Sequence, residues 1–185
     1  MTNNNYHKEI DGLRAISVLV IILFHLKVNF FQGGFIGVDV FFVVSGYLIT
    51  QIIASNLNSG RFSFKDFYIR RTTRILPALV LTVLVTLLAA IYLQQPQALV
   101  HTARQSMWTL LSLSNFFFWS QAGYWEESAE KFVLLHTWSL GVEEQFYLVY
   151  PLLLFASYRI AGRRGILVLL LLIFVLSLVA NELAI

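Results

Sequence analysis

Arg14 and His25 occupy an otherwise apolar stretch from Leu13 to Val28. Ionisable groups inside hydrocarbon are costly, and they tend to face an interior cavity or partner and to mark a functional path. Eleven positions at about 100° each return a helix to within roughly 20° of its starting direction, and a rise of about 1.5 Å per residue sets the two groups roughly 16 Å apart. One helix face thus offers a guanidinium that can hold an anion and, deeper along it, an imidazole that can move a proton. The plainer alternative makes Arg14 a positive anchor at one membrane surface and His25 an interfacial residue near the other.

Asp39, in Gly37-Val38-Asp39-Val40-Phe41-Phe42, carries the opposite charge. Near the depth of His25 in a helical hairpin, it would fix the imidazole tautomer or raise its basicity; otherwise it is a protonated, hydrogen-bonded carboxyl. Arg71 and Arg74 are three apart, so on a helix they present two forked guanidiniums suited to phosphates, or else a stop-transfer anchor or a headgroup contact. In His136-Thr137-Trp138-Ser139-Leu140-Gly141-Val142-Glu143-Glu144-Gln145-Phe146-Tyr147 two adjacent carboxylates point about 100° apart, so one at most faces a given cavity. Glu143 with Tyr147 and Tyr150 forms one polar-aromatic face. With Trp138 and Tyr147 as its aromatic walls, such a pocket suits a sugar hydroxyl, with the carboxylate as general acid or base. The alternative is an aromatic belt with its Glu residues among headgroups. Tyr124, Trp125, Glu126, Glu127 and Glu130 are expected outside, near this mouth. Ser45-Gly46 reads as a close-packing element, and His7 and His101 read as plain surface residues.

These side chains must be positioned by membrane helices. Of the 185 residues, 58% are hydrophobic and 12% charged, and several long apolar runs exceed what a soluble domain of this size buries. An all-α, polytopic transmembrane helix bundle of one domain follows. Its expected spans are Leu13–Val28, Phe35–Ala54, Ile75–Leu93 with Pro77 in the first turn, Ser139–Tyr158 and Ile166–Leu183. Thr102–Trp119, which contains Arg104, Gln105 and Asn115, is expected as an interfacial or re-entrant helix. The first span has no small-residue cleavage pattern after it and is read as retained. Without Cys there is no disulfide or thiolate chemistry, and no Cys/His cluster points to a metal. The net charge of +3 is clustered, which speaks of topology and an anionic ligand and not of nucleic acid. The basic connections Arg61 to Arg74 and Arg159/Arg163/Arg164 belong in the cytoplasm, as does the N-terminus with Lys8 and Arg14.

Taken together, Asp11-Gly12-Leu13-Arg14-Ala15, His25, Gly37 through Ile49, the Arg71/Arg74 pair before Ile75-Leu76-Pro77, and His136 through Leu148 resemble, in order, the blocks of the acyltransferase-3 family. The resemblance runs from Tyr6 to about Pro151. It implies an integral-membrane O-acyltransferase of the bacterial inner membrane that transfers an acyl, typically acetyl, group from cytoplasmic acetyl-CoA or another acyl-CoA to a hydroxyl of an extracytoplasmic glycan. Lipopolysaccharide O-antigen and peptidoglycan are the acceptors it suggests, free or lipid-linked. It further implies that Arg14, Arg71 and Arg74 hold the acyl-CoA phosphates, that His25 is general base or acyl carrier, and that Glu143, with Asp39 a weaker candidate, orients His25 or the acceptor. Acyl-CoA enters as a substrate, and no bound cofactor is implied. Members have about ten spans, so the chain is expected to be the N-terminal, incomplete part of the acyltransferase domain; the wording of its blocks is closest to members with a C-terminal SGNH-type domain. The rivals are a transporter or flippase that uses the same embedded charges as a proton or anion path, and an assembly subunit binding lipid headgroups.

Overall fold

The structure is a computed structural model that describes residues 8–121 and 132–183, and these are helical with no strand among them. The helices are α1 (Lys8–His25), α2 (Ile36–Asn58), α3 (Phe64–Leu93), α4 (Pro96–Leu110), α5 (Ser114–Gln121) and α6 (Thr137–Leu183), with a single 3-10 turn at Asn29–Phe31. Length and apolarity suit α2, α3 and α6 to crossing a membrane. His7, Tyr124, Trp125, Glu126, Glu127 and Glu130 lie outside the described residues. The chain divides into two compact units, residues 1–61 with 157–185 and residues 62–156.

In the first unit α1 opens with Glu9 and Asp11 in its first turn, where the helix dipole favours carboxylates. It ends at His25, short of the expected Val28, because Lys27 adopts a left-handed φ of 56°. The bonds Lys27 N–H to Phe24 O and Val28 N–H to Leu23 O then close a Schellman motif. His25 is therefore the last residue of the helix and not an interior one. The chain returns as α2, antiparallel to α1, at a separation that two glycines permit. A Cβ on Gly34 would lie 2.7 Å from Phe24 Cβ and from Val20 O, and one on Gly37 would lie 2.7 Å from Ser17 O. Small residues are what let helix backbones approach in a membrane, where packing rather than hydrophobic expulsion drives association.

The expected fourth and fifth spans are the two arms of α6, helices that meet at a kink where Ala161 (φ −137°, ψ 21°) and Gly162 (φ 57°, ψ −141°) leave the helical conformation. The Gly162 conformation is open to glycine almost alone. Just beyond it, a Cβ on Gly165 would collide with the Ser157 carbonyl oxygen. The chain bends here because two glycines remove the obstacle.

The second unit contains the larger departure from expectation. α3 begins at Phe64 and not near Ile75: the Ser63 side chain accepts from Asp66 N–H at 3.3 Å and caps the helix there. Arg70, Arg71 and Arg74 are consequently helical, and Pro77 lies in the interior of α3 and not in its first turn. In place of one helix over Thr102–Trp119 there are two, α4 and α5, parted by Ser112 in a left-handed conformation at φ 59°. Leu111, Ser112 and Leu113 share a cavity wall with Ile75 and Leu76 of α3, so α4 doubles back along the helix that precedes it. Leu79, Val83, Phe117, Phe118 and Leu134 form the apolar core of this arrangement.

The inward face of α4 is polar, with Thr102, Gln105, Ser106 and Thr109 buried. Each finds a partner, as a low-dielectric interior requires. Thr102 donates to Gln94 Oε1 at 2.8 Å, and Ser106 donates to Thr102 O at 2.9 Å. Thr109 pairs with Thr137 at 3.0 Å, and Gln105 Oε1 accepts from Leu134 N–H at 3.1 Å. His101, expected at the surface, is half-buried; its Nδ1 pairs with Gln105 Nε2 at 3.0 Å and its ring lies between Phe117 and Phe132. Of the polar residues that make this segment look unfit for a span, Gln105 and Asn115 hold it to its neighbours, and Arg104 is exposed.

Candidate functional site

The antiparallel packing of α1 on α2 decides where Arg14 points. Ser17 and Ile21 meet Gly37, and one turn earlier the Arg14 guanidinium lies over the Phe41 ring at 4.9 Å from its centroid. Arg14 is half-buried, and its Nε is shielded from solvent with no hydrogen-bond partner among the described residues. Set over a ring and with no carboxylate paired to it among the described residues, this cation suits the binding of an anion.

His25 is exposed at the end of α1, and its ring is held from one side. Nδ1 lies 2.8 Å from the Ile21 carbonyl oxygen, and the Phe24 ring meets it edge-on with centroids 5.4 Å apart. A carbonyl oxygen only accepts, so Nδ1 carries the proton, and the lone pair of the neutral ring is on Nε2. The backbone thus sets the tautomer that a general base needs. Asp39, expected as the orienting group, is exposed and makes no hydrogen bond or ion pair among the described residues. Ser45 is buried, and its hydroxyl has no partner among the described residues.

In the second unit the polar residues converge on a cavity of about 360 Å3 between α3, α6 and the turn joining α4 to α5. Arg71 and Tyr147 line it, with the guanidinium 5.2 Å from the centre of the Tyr147 ring and 5.8 Å from that of Phe67. Glu143 does not line it: it is buried and accepts the Tyr147 hydroxyl, so it holds the ring that Arg71 rests on. Arg74 is exposed and Trp138 is 39% exposed, and neither belongs to the wall. The cavity therefore joins Arg71 to Tyr147 and leaves Arg74, Trp138 and Glu143 outside.

The turn of α4 into α5 is fixed by Gln145. Its amide donates to Ser112 O at 2.7 Å and to Asn115 Oδ1 at 2.8 Å, and Asn115 returns a bond to Gln145 Oε1 at 3.2 Å. Gly141, one helical turn before Gln145, lets α6 approach, since a Cβ there would lie 3.0 Å from Ser114 Oγ. Gln145→Leu would strand the Ser112 carbonyl and the Asn115 amide. At about 1 to 3 kcal/mol for a buried group left unpaired, the variant is expected to show a lower thermal unfolding midpoint in detergent than wild type.

Sequence reasoning took Glu143 over its neighbour Glu144 and passed over Gln145, Ser112 and Tyr68 as site residues. Glu144 faces the cavity, and its Oε2 is buried without a partner. The one available signal is the Tyr68-Arg71-Thr72-Ile75 spacing of three and four, which marks a helix face that pairs with Glu144 and Leu148.

Apolar helices that nonetheless carry guanidinium, imidazole and carboxylate groups define an integral membrane protein with polar chemistry to perform. The family follows from comparison with known proteins. A family model described as an acyltransferase domain, that of acyltransferase-3, matches residues 7–184, and the chain belongs to this family. It is 38% identical over 88% of its length to a Bacillus subtilis (strain 168) protein named provisionally as the peptidoglycan O-acetyltransferase YrhL. It is 36% identical over 80% of its length to the peptidoglycan O-acetyltransferase OatA of Listeria monocytogenes, and 36% identical over 97% to the O-acetyltransferase OatA of Staphylococcus aureus (strain NCTC 8325). The chain spans 26%, 24% and 29% of the length of these three relatives. No solved structure matches it significantly.

Proposed function

We propose that the chain is part of a bacterial inner-membrane O-acyltransferase that moves an acetyl group from cytoplasmic acyl-CoA to a hydroxyl of an extracytoplasmic cell-wall glycan, with peptidoglycan the favoured acceptor. The observation that carries the reading is the ring of His25, anchored through Nδ1 to the Ile21 carbonyl with Nε2 left as the basic atom. Nε2 takes the proton of the acceptor hydroxyl while the oxygen forms a bond to the thioester carbonyl carbon. The C–S bond then breaks, and the CoA thiolate leaves and is protonated. Relatives named for peptidoglycan O-acetylation support the choice of acceptor.

The N-terminus and the basic residues of α3 are assigned to the cytoplasm, with Arg14, Arg71 and Arg74 as the cations for the acyl-CoA phosphates and Tyr147 and Trp138 as aromatic surfaces for the acceptor. Glu143 acts through Tyr147, and Asp39 is the weaker candidate. Arg14→Ala is expected to raise the KM for acetyl-CoA about tenfold or more, the worth of a charge-assisted bond of about 1.5 to 3 kcal/mol, with Arg14→Lys in between. Acetyl transfer to cell-wall glycan by membranes carrying the full chain, measured against acetyl-CoA concentration, tests this. An unchanged KM in Arg14→Ala removes the donor role.

A further inference from the structure

The donors around the Arg71 cavity are largely spent on the protein itself. The Tyr68 hydroxyl donates to Leu148 O at 2.9 Å, the Tyr147 hydroxyl donates to Glu143, and both amide hydrogens of Gln145 go to Ser112 O and Asn115 Oδ1. What the wall has left over is an acceptor. Glu144 Oε2 is shielded from solvent and has no hydrogen-bond partner among the described residues; Leu111, Leu113 and Leu148 line the same cavity. A carboxylate oxygen withdrawn from water without a donor is unfavourable by itself, and a donor brought by a ligand would relieve it.

From this we infer that Glu144 is a substrate-binding residue: its carboxylate accepts a hydrogen bond from a hydroxyl or amide N–H of a ligand in the cavity that Arg71 also lines. The carboxylate repels an anionic group at that point, so phosphates or carboxylates of the ligand belong at the Arg71 end. The neutral, donor-bearing part belongs at Glu144. At about 360 Å3 the cavity is at the lower end of ordinary small-molecule sites, which begin at roughly 300 Å3. Two substrate parts have this chemistry, the amide-bearing arm of an acyl-CoA and the hydroxyls of a glycan. The inference rests on the acyl-transfer reading for this choice of ligands.

Coenzyme A and a β-1,4-linked N-acetylglucosamine tetrasaccharide serve as the two probes, and their binding to the purified full chain in detergent is the measurement. Glu144→Gln keeps the shape of the side chain and removes its charge. It is expected to bind one probe at least tenfold more weakly than wild type and the other unchanged, and the weakened probe identifies which substrate lies in the cavity. If Glu144→Gln aggregates, Glu144→Asp, which retains the charge on a shorter stem, should lose at least threefold on the same probe. Wild-type affinity of the variant for both probes overturns the inference, as does a wild-type protein that binds neither. His25→Ala is carried in parallel: if it still transfers acetyl groups, the catalytic reading falls while the Glu144 result stands on the binding data alone.

Discussion

Replacing His25 by alanine is expected to lower acetyl transfer by about 100- to 10,000-fold, the contribution of a positioned general base, while the protein accumulates in the membrane at its usual level. The ring is exposed and touches its own helix through Ile21 O and Phe24, so its removal costs little packing. Loss of folding therefore does not explain loss of rate. His25→Gln, which can still hydrogen-bond but cannot take up a proton near neutral pH, should be as inactive as His25→Ala. Acetylated glycan released from membranes carrying each variant, normalised to protein, is the measurement. Transfer by His25→Ala within threefold of wild type would remove this ring from the mechanism.

The second large effect is expected at a residue with no side chain. In Gly37→Ala the new Cβ would lie 2.7 Å from Ser17 O and 2.8 Å from Ile21 Cγ1. A backbone oxygen inside a helix cannot step aside, so the two helices must separate, at a cost of about 1 to 3 kcal/mol for overpacking. Because Arg14 meets Phe41 one turn further along the same seam, the separation also moves the guanidinium. Gly37→Ala is thus expected to lower the thermal midpoint and to raise the KM for acetyl-CoA together, and Gly37→Leu to abolish folded protein. Gly46→Ala is the control, since a Cβ there meets nothing within 4 Å. Equal midpoints for Gly37→Ala and Gly46→Ala, measured by thermal unfolding in detergent, would show that α1 and α2 are not joined through this contact.

Much of the architecture is legible in the residue order because it depends on local rules. Apolar runs of sufficient length become helices wherever the backbone must satisfy its own hydrogen bonds, and α2 and the two arms of α6 fall where such runs predict. The pairing of Glu143 with Tyr147 is likewise local, four positions apart on one helix. Boundaries are harder to read. The start of α3 depends on a cap at Ser63 that lies outside the apolar run, and the end of α1 depends on a left-handed Lys27, a conformation not signalled by its residue type.

The choice between Glu143 and Glu144 shows where local reading stops. Adjacent positions differ by about 100° around a helix, and the spacing of Glu143 from Tyr147 and Tyr150 makes it the expected cavity residue. The doubling back of α4 and α5 settles it, by bringing Ser112 and Leu113 to one side of α6 and so making a cavity that Glu144 lines. The same packing half-buries His101, an expected surface residue, against Phe117 and Phe132. By itself the sequence determined the helices, the membrane setting and the residue types that carry the chemistry, since each follows from neighbours a few positions apart. Only the tertiary structure decided which of two adjacent carboxylates lines the cavity, which atom of His25 is free and which glycines hold the helices together. Those depend on contacts between segments distant in the chain, or on how a ring turns against its own backbone.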